Sequence, residues 1–191
     1  LTDKSALRAA ALSRRDALAG SYRAEAAERL AMRARPLIEN AQPSIVSGYW
    51  PIRSEIDPRP LLALARHDGH AVALPVLIDS ETLRFRLWDE GAALVPAGFG
   101  TIGPDAAAPD IVPDIVLLPL AGFDRSGHRI GYGKGHYDRA IARLATSGHR
   151  PLLVGLAFGV QEVDKVPFEP HDIPLDFILT EDELIAAPPR G

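Results

Sequence analysis

The sequence predicts an α/β fold, a three-layer α/β/α arrangement around a mostly parallel sheet with one hairpin, on three observations. Continuous apolar runs at 115–120 and 152–158 have the length and character of strands covered on both faces. Helix-period segments alternate with such runs along the chain, the pattern of parallel strands joined by crossover helices. A polar Asp79-Ser80-Glu81 step between two strand-like segments supplies the hairpin.

Residues 2–18 are rich in Ala, Leu and Arg, with Leu7, Ala11 and Leu18 apolar at helical spacing, and predict a helix capped by Thr2 or Asp3 and stopped at Gly20. A second helix behind Ser21 carries Ala27, Leu30, Ala34, Leu37 and Ile38 on one face and ends before a turn at 40–43. The β-branched and aromatic run 44–50, closed by Pro51, predicts a first strand. Asp57 is placed to cap a third helix, with Pro58 at its first position and Leu61, Leu62 and Leu64 buried. Segments 70–78 and 83–88 predict the hairpin, Leu83, Phe85 and Leu87 turning inward and Arg84 and Arg86 outward. Residues 89–113 have no convincing periodicity, and such long irregular segments are more often functional than idle. A helix at 137–144 and a last short strand at 177–180 complete the pattern. With no repeat and no linker, residues 1–191 read as one domain.

The absence of cysteine excludes a disulfide framework and thiolate metal sites and favours a reducing, cytoplasmic compartment. No apolar run approaches the roughly 20 residues that cross a bilayer, and the charged opening segment lacks the apolar centre of a secretory leader. A net charge of −4 argues against nucleic-acid binding. The arginines of the first forty residues, Arg8, Arg14, Arg15, Arg23, Arg29, Arg33 and Arg35, read as solvated helix faces. A monomer acting on small molecules is the expectation.

Chemistry concentrates in the segment Arg129-Ile130-Gly131-Tyr132-Gly133-Lys134-Gly135-His136-Tyr137-Asp138-Arg139, between a buried strand and a helix. Glycines at alternate positions free the backbone to turn amides toward an anion. The following helix N-terminus favours negative charge, and Arg129 and Lys134 add a fork and a point charge. The segment is neither a P-loop nor the dinucleotide fingerprint. On these residues alone, a phosphate cradle and a plain strand-to-helix turn both stand.

That segment, preceded by Phe123-Asp124 and Gly127, closely resembles the signature of the 5-formyltetrahydrofolate cyclo-ligase (5,10-methenyltetrahydrofolate synthetase) family. The resemblance continues through Lys4 and Arg8, Tyr49-Trp50-Pro51, Glu55-Ile56-Asp57, Pro113-Asp114, Gln161, Val166-Pro167, and His171-Asp172 with Asp176. It implies a fold like that of ribose-phosphate isomerase and the CoA transferases. It also implies ATP- and Mg²⁺-dependent closure of 5-formyltetrahydrofolate to 5,10-methenyltetrahydrofolate, through phosphorylation of the formyl oxygen and attack by N10. The alternatives are an ATP-independent isomerase or transferase on the same fold and a non-catalytic folate or nucleotide binder.

By this resemblance Lys4, Arg8 and the stretch Arg129, Ile130, Gly131, Tyr132, Gly133, Lys134, Gly135, His136 and Tyr137 bind ATP, with Arg129, Lys134 and Tyr137 acting in catalysis. Asp138 and Asp172 hold Mg²⁺, and Trp50, Glu55 and Tyr132 meet the folate. Each has a plainer account from its position: a solvated face for Lys4 and Arg8, first-turn charge for Asp138, a turn for Asp172, core packing for Trp50. His136 stands where the family commonly has Tyr.

Overall fold

The computed structural model describes residues 3–41, 44–98, 100–169 and 172–189. Thr2, the predicted turn residues Gln42 and Pro43, and His171 lie outside them. In chain order the elements are α1 (Lys4–Asp16), α2 (Gly20–Glu39), β1 (Ile45–Ser47), α3 (Arg59–His67), β2 (Ala71–Leu77), β3 (Leu83–Leu87), β4 (Leu94–Gly98), β5 (Thr101–Pro104), β6 (Asp110–Ile111), β7 (Ile115–Pro119), β8 (Gly122–Phe123), β9 (Arg129–Ile130), α4 (His136–Thr146), β10 (Leu152–Leu156), a 3₁₀ turn at Gly159–Gln161, β11 (Phe177–Leu179) and β12 (Leu184–Ala186).

An eight-stranded sheet runs β12-β11-β10-β7-β1-β2-β3-β6. The pairs from β11 to β2 are parallel, and β12, β3 and β6 add antiparallel edges. Alternate residues of each parallel strand enter opposite cores. Ile115 and Leu117 of β7 and Val154 and Leu156 of β10 pack with Leu30, Ile38, Leu61 and Leu62 from α2 and α3. Val116, Leu118 and Leu153 face Ala140 and Ile141 of α4 on the other side. Burial on both faces is why these strands read as unbroken apolar runs. No helix among the described residues is long and apolar enough to cross a membrane.

Asp3 caps α1 as expected, its carboxylate accepting from Ser5 N at 2.9 Å. The other predicted caps shift. The second helix starts at Gly20 behind Ala19, with no cap from Ser21. In α3, Pro58 takes the cap position; Asp57 Oδ1 still accepts from Arg59 N at 2.9 Å. The stretch 89–113 is not irregular: β4 and β5 form a separate bulged ribbon against β2, and β6 extends the sheet edge. The predicted last strand β11 is followed by β12, an antiparallel edge. Strands this short show no period until a partner is in place.

Candidate active site

Strands β1, β7, β10 and β11 are mutually parallel, so the loops that follow them gather at one sheet edge, where open α/β folds meet their ligands. The loop after β7 is built rigidly. It forms the short antiparallel ladder of β8 and β9, Gly122 opposite Ile130 and Phe123 opposite Arg129. Asp124 closes the turn between them, Oδ1 accepting from Ser126 N at 2.9 Å and His128 N at 3.2 Å and Oδ2 from Val166 N at 2.9 Å. Gln161, fully buried, donates to the carbonyls of Leu120 at 2.7 Å and Ala121 at 3.0 Å while accepting from Phe158 N at 2.9 Å. Gln161 is therefore scaffold for the loop.

From this base the glycine segment emerges onto the surface. Gly131 is half-buried, with open space where a Cβ would stand, and Gly133 and Gly135 are exposed. Gly133 (φ 86°) and Gly135 (φ 64°) adopt the left-handed backbone that other residues resist, and Gly135 opens α4 without a side chain to cap its first turn. Lys134 between them is exposed, its carbonyl accepting from Arg139 at 2.9 Å. Ile130 has its side chain sealed in a small core with Ala121 and Val166, and its carbonyl accepts from Ala121 N at 2.8 Å. His136 turns toward the hairpin, with Nε2 3.0 Å from Ser80 O.

Cations border the segment, each tied to an acceptor. Arg8 Nε donates to Gly131 O at 2.8 Å, and Lys4 Nζ meets Asp172 Oδ2 at 2.8 Å. Arg129 pairs with Asp138 Oδ1 at 2.5 Å and donates to the carbonyl of Ile173. Asp138 Oδ1 also accepts from Ile173 N at 3.3 Å, which brings Asp138 within one residue step of Asp172. Lys4, Arg8, Arg129, Asp138 and Asp172 thus gather at one segment. No group of three or more metal-binding side chains occurs among the described residues.

Against the inner side of the same loop lies a cluster of different character. Tyr49 is buried and donates to Ile56 O at 2.8 Å; Glu55 Oε2 accepts from Ile52 N at 2.9 Å. Burial raises the Glu55 carboxyl above its ordinary value of 4.5, against the opposing pull of that amide, Tyr132, Arg15 and Arg53. Burial first, and the Glu55 charge second, push the hydroxyls of Tyr49, Tyr132 and Tyr137 well up. Tyr132 has an exposed ring, but its hydroxyl end reaches inward to Arg15 at 2.6 Å. Trp50 sits on the Glu55 loop, edge-on to Trp88 with 6.1 Å between ring centroids and with the Arg59 guanidinium 4.9 Å above its ring.

Sequence reasoning missed Arg15, which the structure removes from the solvated faces: it is only 3% exposed. The signal was present, because Lys4, Arg8, Ala11 and Arg15 recur at the spacing of one helical face. Arg14 also has acceptors, the carbonyls of Val160 at 2.6 Å and Glu162 at 3.1 Å. A concavity of about 660 Å³ near Asn40, Asp114 and Leu152 lies at the opposite, N-terminal end of the strands, remote from this chemistry.

The profile of the 5-formyltetrahydrofolate cyclo-ligase family matches residues 1–181. The 5-formyltetrahydrofolate cyclo-ligase of Haemophilus influenzae is 30% identical over 161 residues, covering 81% of this chain and 85% of that protein. The Escherichia coli K12 protein of the same name is 30% identical over 173 residues, covering 87% and 94%. The NMR structure of Aquifex aeolicus 5,10-methenyltetrahydrofolate synthetase superposes with a TM-score of 0.81 at 28% identity, over 98% of this chain and 95% of that one. A Mycoplasma pneumoniae synthetase structure, 23% identical with a TM-score of 0.71 over 94% of this chain and 99% of that one, shares the fold. A match that runs from α1 through β11, and so spans every element bordering the glycine segment, means that the chain belongs to the 5-formyltetrahydrofolate cyclo-ligase family.

Proposed function

We propose that the protein closes 5-formyltetrahydrofolate to 5,10-methenyltetrahydrofolate, using ATP with Mg²⁺ and releasing ADP and phosphate. The observation that carries the reading is the junction of two unlike surfaces at Tyr132. A cationic, glycine-rich segment faces one way and a partly buried tyrosine–glutamate cluster the other. The first suits triphosphate oxygens and the second a donor-rich pterin edge. The family's own name supplies the substrate, and the neighbour's supplies the product.

The donor set fits magnesium in kind. Asp138 and Asp172 are hard carboxylates, Asp138 accepting from the amide of Ile173, the residue after Asp172, and magnesium commonly takes one or two such ligands beside substrate phosphates. Each now balances a cation, Arg129 or Lys4. When bound there, the ion supplies charge neutralisation to the phosphates. Release of the two cations toward the phosphates would keep every charge paired. The opened glycine backbone and Lys134 then hold the terminal phosphoryl group, while Glu55 accepts from the pterin and orients the formyl group. The formyl oxygen takes the phosphoryl group as ADP leaves. N10 attacks the same carbon, the C–O bond breaks, phosphate departs and the N10 proton is lost. Catalysis here is mostly positioning, and the step calls for no nucleophile from the protein.

One continuous sheet carrying both surfaces supports a single domain. The reading extends to a cytoplasmic monomer, whose mass sedimentation analysis tests. Incubation with 5-formyltetrahydrofolate, ATP and Mg²⁺ should produce the methenyl chromophore with one ADP per turnover. Chromophore without ATP points to the isomerase or transferase alternative, and binding of both ligands without product rejects catalysis.

A further inference from the structure

We propose that Arg15 is a positioning residue of the folate subsite: its guanidinium fixes the Ser54 hydroxyl beside Glu55 and the Tyr132 hydroxyl, and so sets the loop whose Glu55 carboxylate receives the pterin. The inference rests on the reading of Glu55 given above. Arginine is almost never buried unless paired, and Arg15 spends its donors on other segments. Its Nε donates to Ser54 Oγ at 2.9 Å and its Nη1 to the Tyr132 hydroxyl at 2.6 Å, with Asp16 Oδ1 3.5 Å from Nε. Ser54 passes its own proton to Asp16. One guanidinium therefore joins α1, the loop that carries Glu55 and the glycine segment.

The direction of the chain follows from donor counting. Guanidinium only donates, so the Tyr132 oxygen is the acceptor in that bond and its single proton must point elsewhere. Its acceptor is the Leu120 carbonyl at 3.5 Å, and the hydroxyl also favours the charged form of Glu55. Glu55 is held by Ile52 N of its own loop, and Arg15 holds the Ser54 hydroxyl one residue before it. The charged and titratable groups facing it are Arg15 from α1, Arg53 from its own loop, Tyr49 from the end of β1, Tyr132 from the glycine segment and Tyr137 from α4. Burial raises its carboxyl, and Arg15 with the Tyr132 hydroxyl opposes that rise. Lys4 and Arg8, on the same face of α1, have anchors of their own in Asp172 and the Gly131 carbonyl.

The test is direct titration of Glu55 by carbon-13 NMR of its carboxyl group, in the wild type, Arg15→Met and Tyr132→Phe. Both variants should raise the Glu55 midpoint by about one pH unit, since each removes a group that favours the charged form. The acidic limb of the kcat/KM profile for 5-formyltetrahydrofolate should move up with it. That ratio should fall about tenfold through KM for the folate, with KM for ATP changed less than about twofold. A merely structural Arg15 would lower melting temperature and kcat without moving the midpoint. An unchanged midpoint in both variants overturns the proposal whether or not turnover is seen. Absent turnover in the wild type counts against the assigned reaction instead. Should Arg15→Met not fold, Tyr132→Phe decides alone, since it deletes one oxygen from an otherwise exposed ring.

Discussion

The two sides of the glycine segment are held by opposite physics. On the phosphate side, Lys4–Asp172 and Arg129–Asp138 are ion pairs of partly exposed carboxylates, with bonds that solvent and an incoming polyanion can exchange. On the proposed folate side, Tyr49 is buried, Glu55 and Tyr137 are half-buried and Tyr132 turns its hydroxyl end inward, and burial is the largest cause of every shift in their acidity. On the proposed reading, one subsite is prepared by storing compensating charges, the other by partial burial. A substrate pair of unlike chemistry, a triphosphate and a flat heterocycle, calls for that division.

The sharpest way to break this contrast is Asp138→Asn. It removes a proposed metal contact and strands Arg129, and kcat should fall on the order of a hundredfold, with a rightward shift in the Mg²⁺ titration. Unchanged kcat and Mg²⁺ dependence would reduce Asp138 to a partner of Arg129. Gly127→Ala probes the base common to both sides. Gly127 has φ 86°, and a Cβ there would lie 2.6 Å from Ala187 Cβ and 2.9 Å from the Leu175 carbonyl. A loss of about 2 kcal/mol is expected in urea unfolding; wild-type stability would mean the turn yields freely.

Lys134→Ala should raise KM for ATP about tenfold and leave KM for the folate alone, and the reverse split would place Lys134 on the wrong side. The smallest effect is expected for Glu55→Gln, a several-fold rise in folate KM (about threefold to tenfold) with ATP spared. Its stability signature is distinctive. The folded-state pKa of Glu55 lies above its ordinary 4.5, so its contribution is fully present below that value and is lost as pH rises through the folded pKa. The neutral glutamine escapes that loss. Melting temperatures should coincide at low pH and favour Glu55→Gln at neutral pH; a deficit at neutral pH would contradict a burial-raised carboxyl.

Where the sequence was legible, a local rule and the tertiary context agreed. Leu117 and Val154 lie in apolar runs because both faces of their strands are covered, and Asp3 caps α1 with its own side chain. The glycine segment was visible because left-handed backbone at Gly133 and Gly135 is a local demand that only glycine meets without cost. The ribbon at 94–104 and the edge strand β12 were not visible, since each depends on a partner supplied by packing. Arg15 was misread for a related reason: its place on the Lys4, Arg8 and Ala11 face is legible, but what that face meets, Ser54 and Tyr132, is not.

By itself, then, the sequence determined the layered α/β plan, the glycine segment with its cations, and the family, because periodicity, backbone permissiveness and motif order are written residue by residue. Only the tertiary structure decided which charges meet. The pairing of Lys4 with Asp172, across 168 positions, and of Arg15 with Tyr132, across 117, depends on where α1 crosses the sheet edge. Burial, which sets the acidity of Glu55, is a property of the assembled loops and of no single segment.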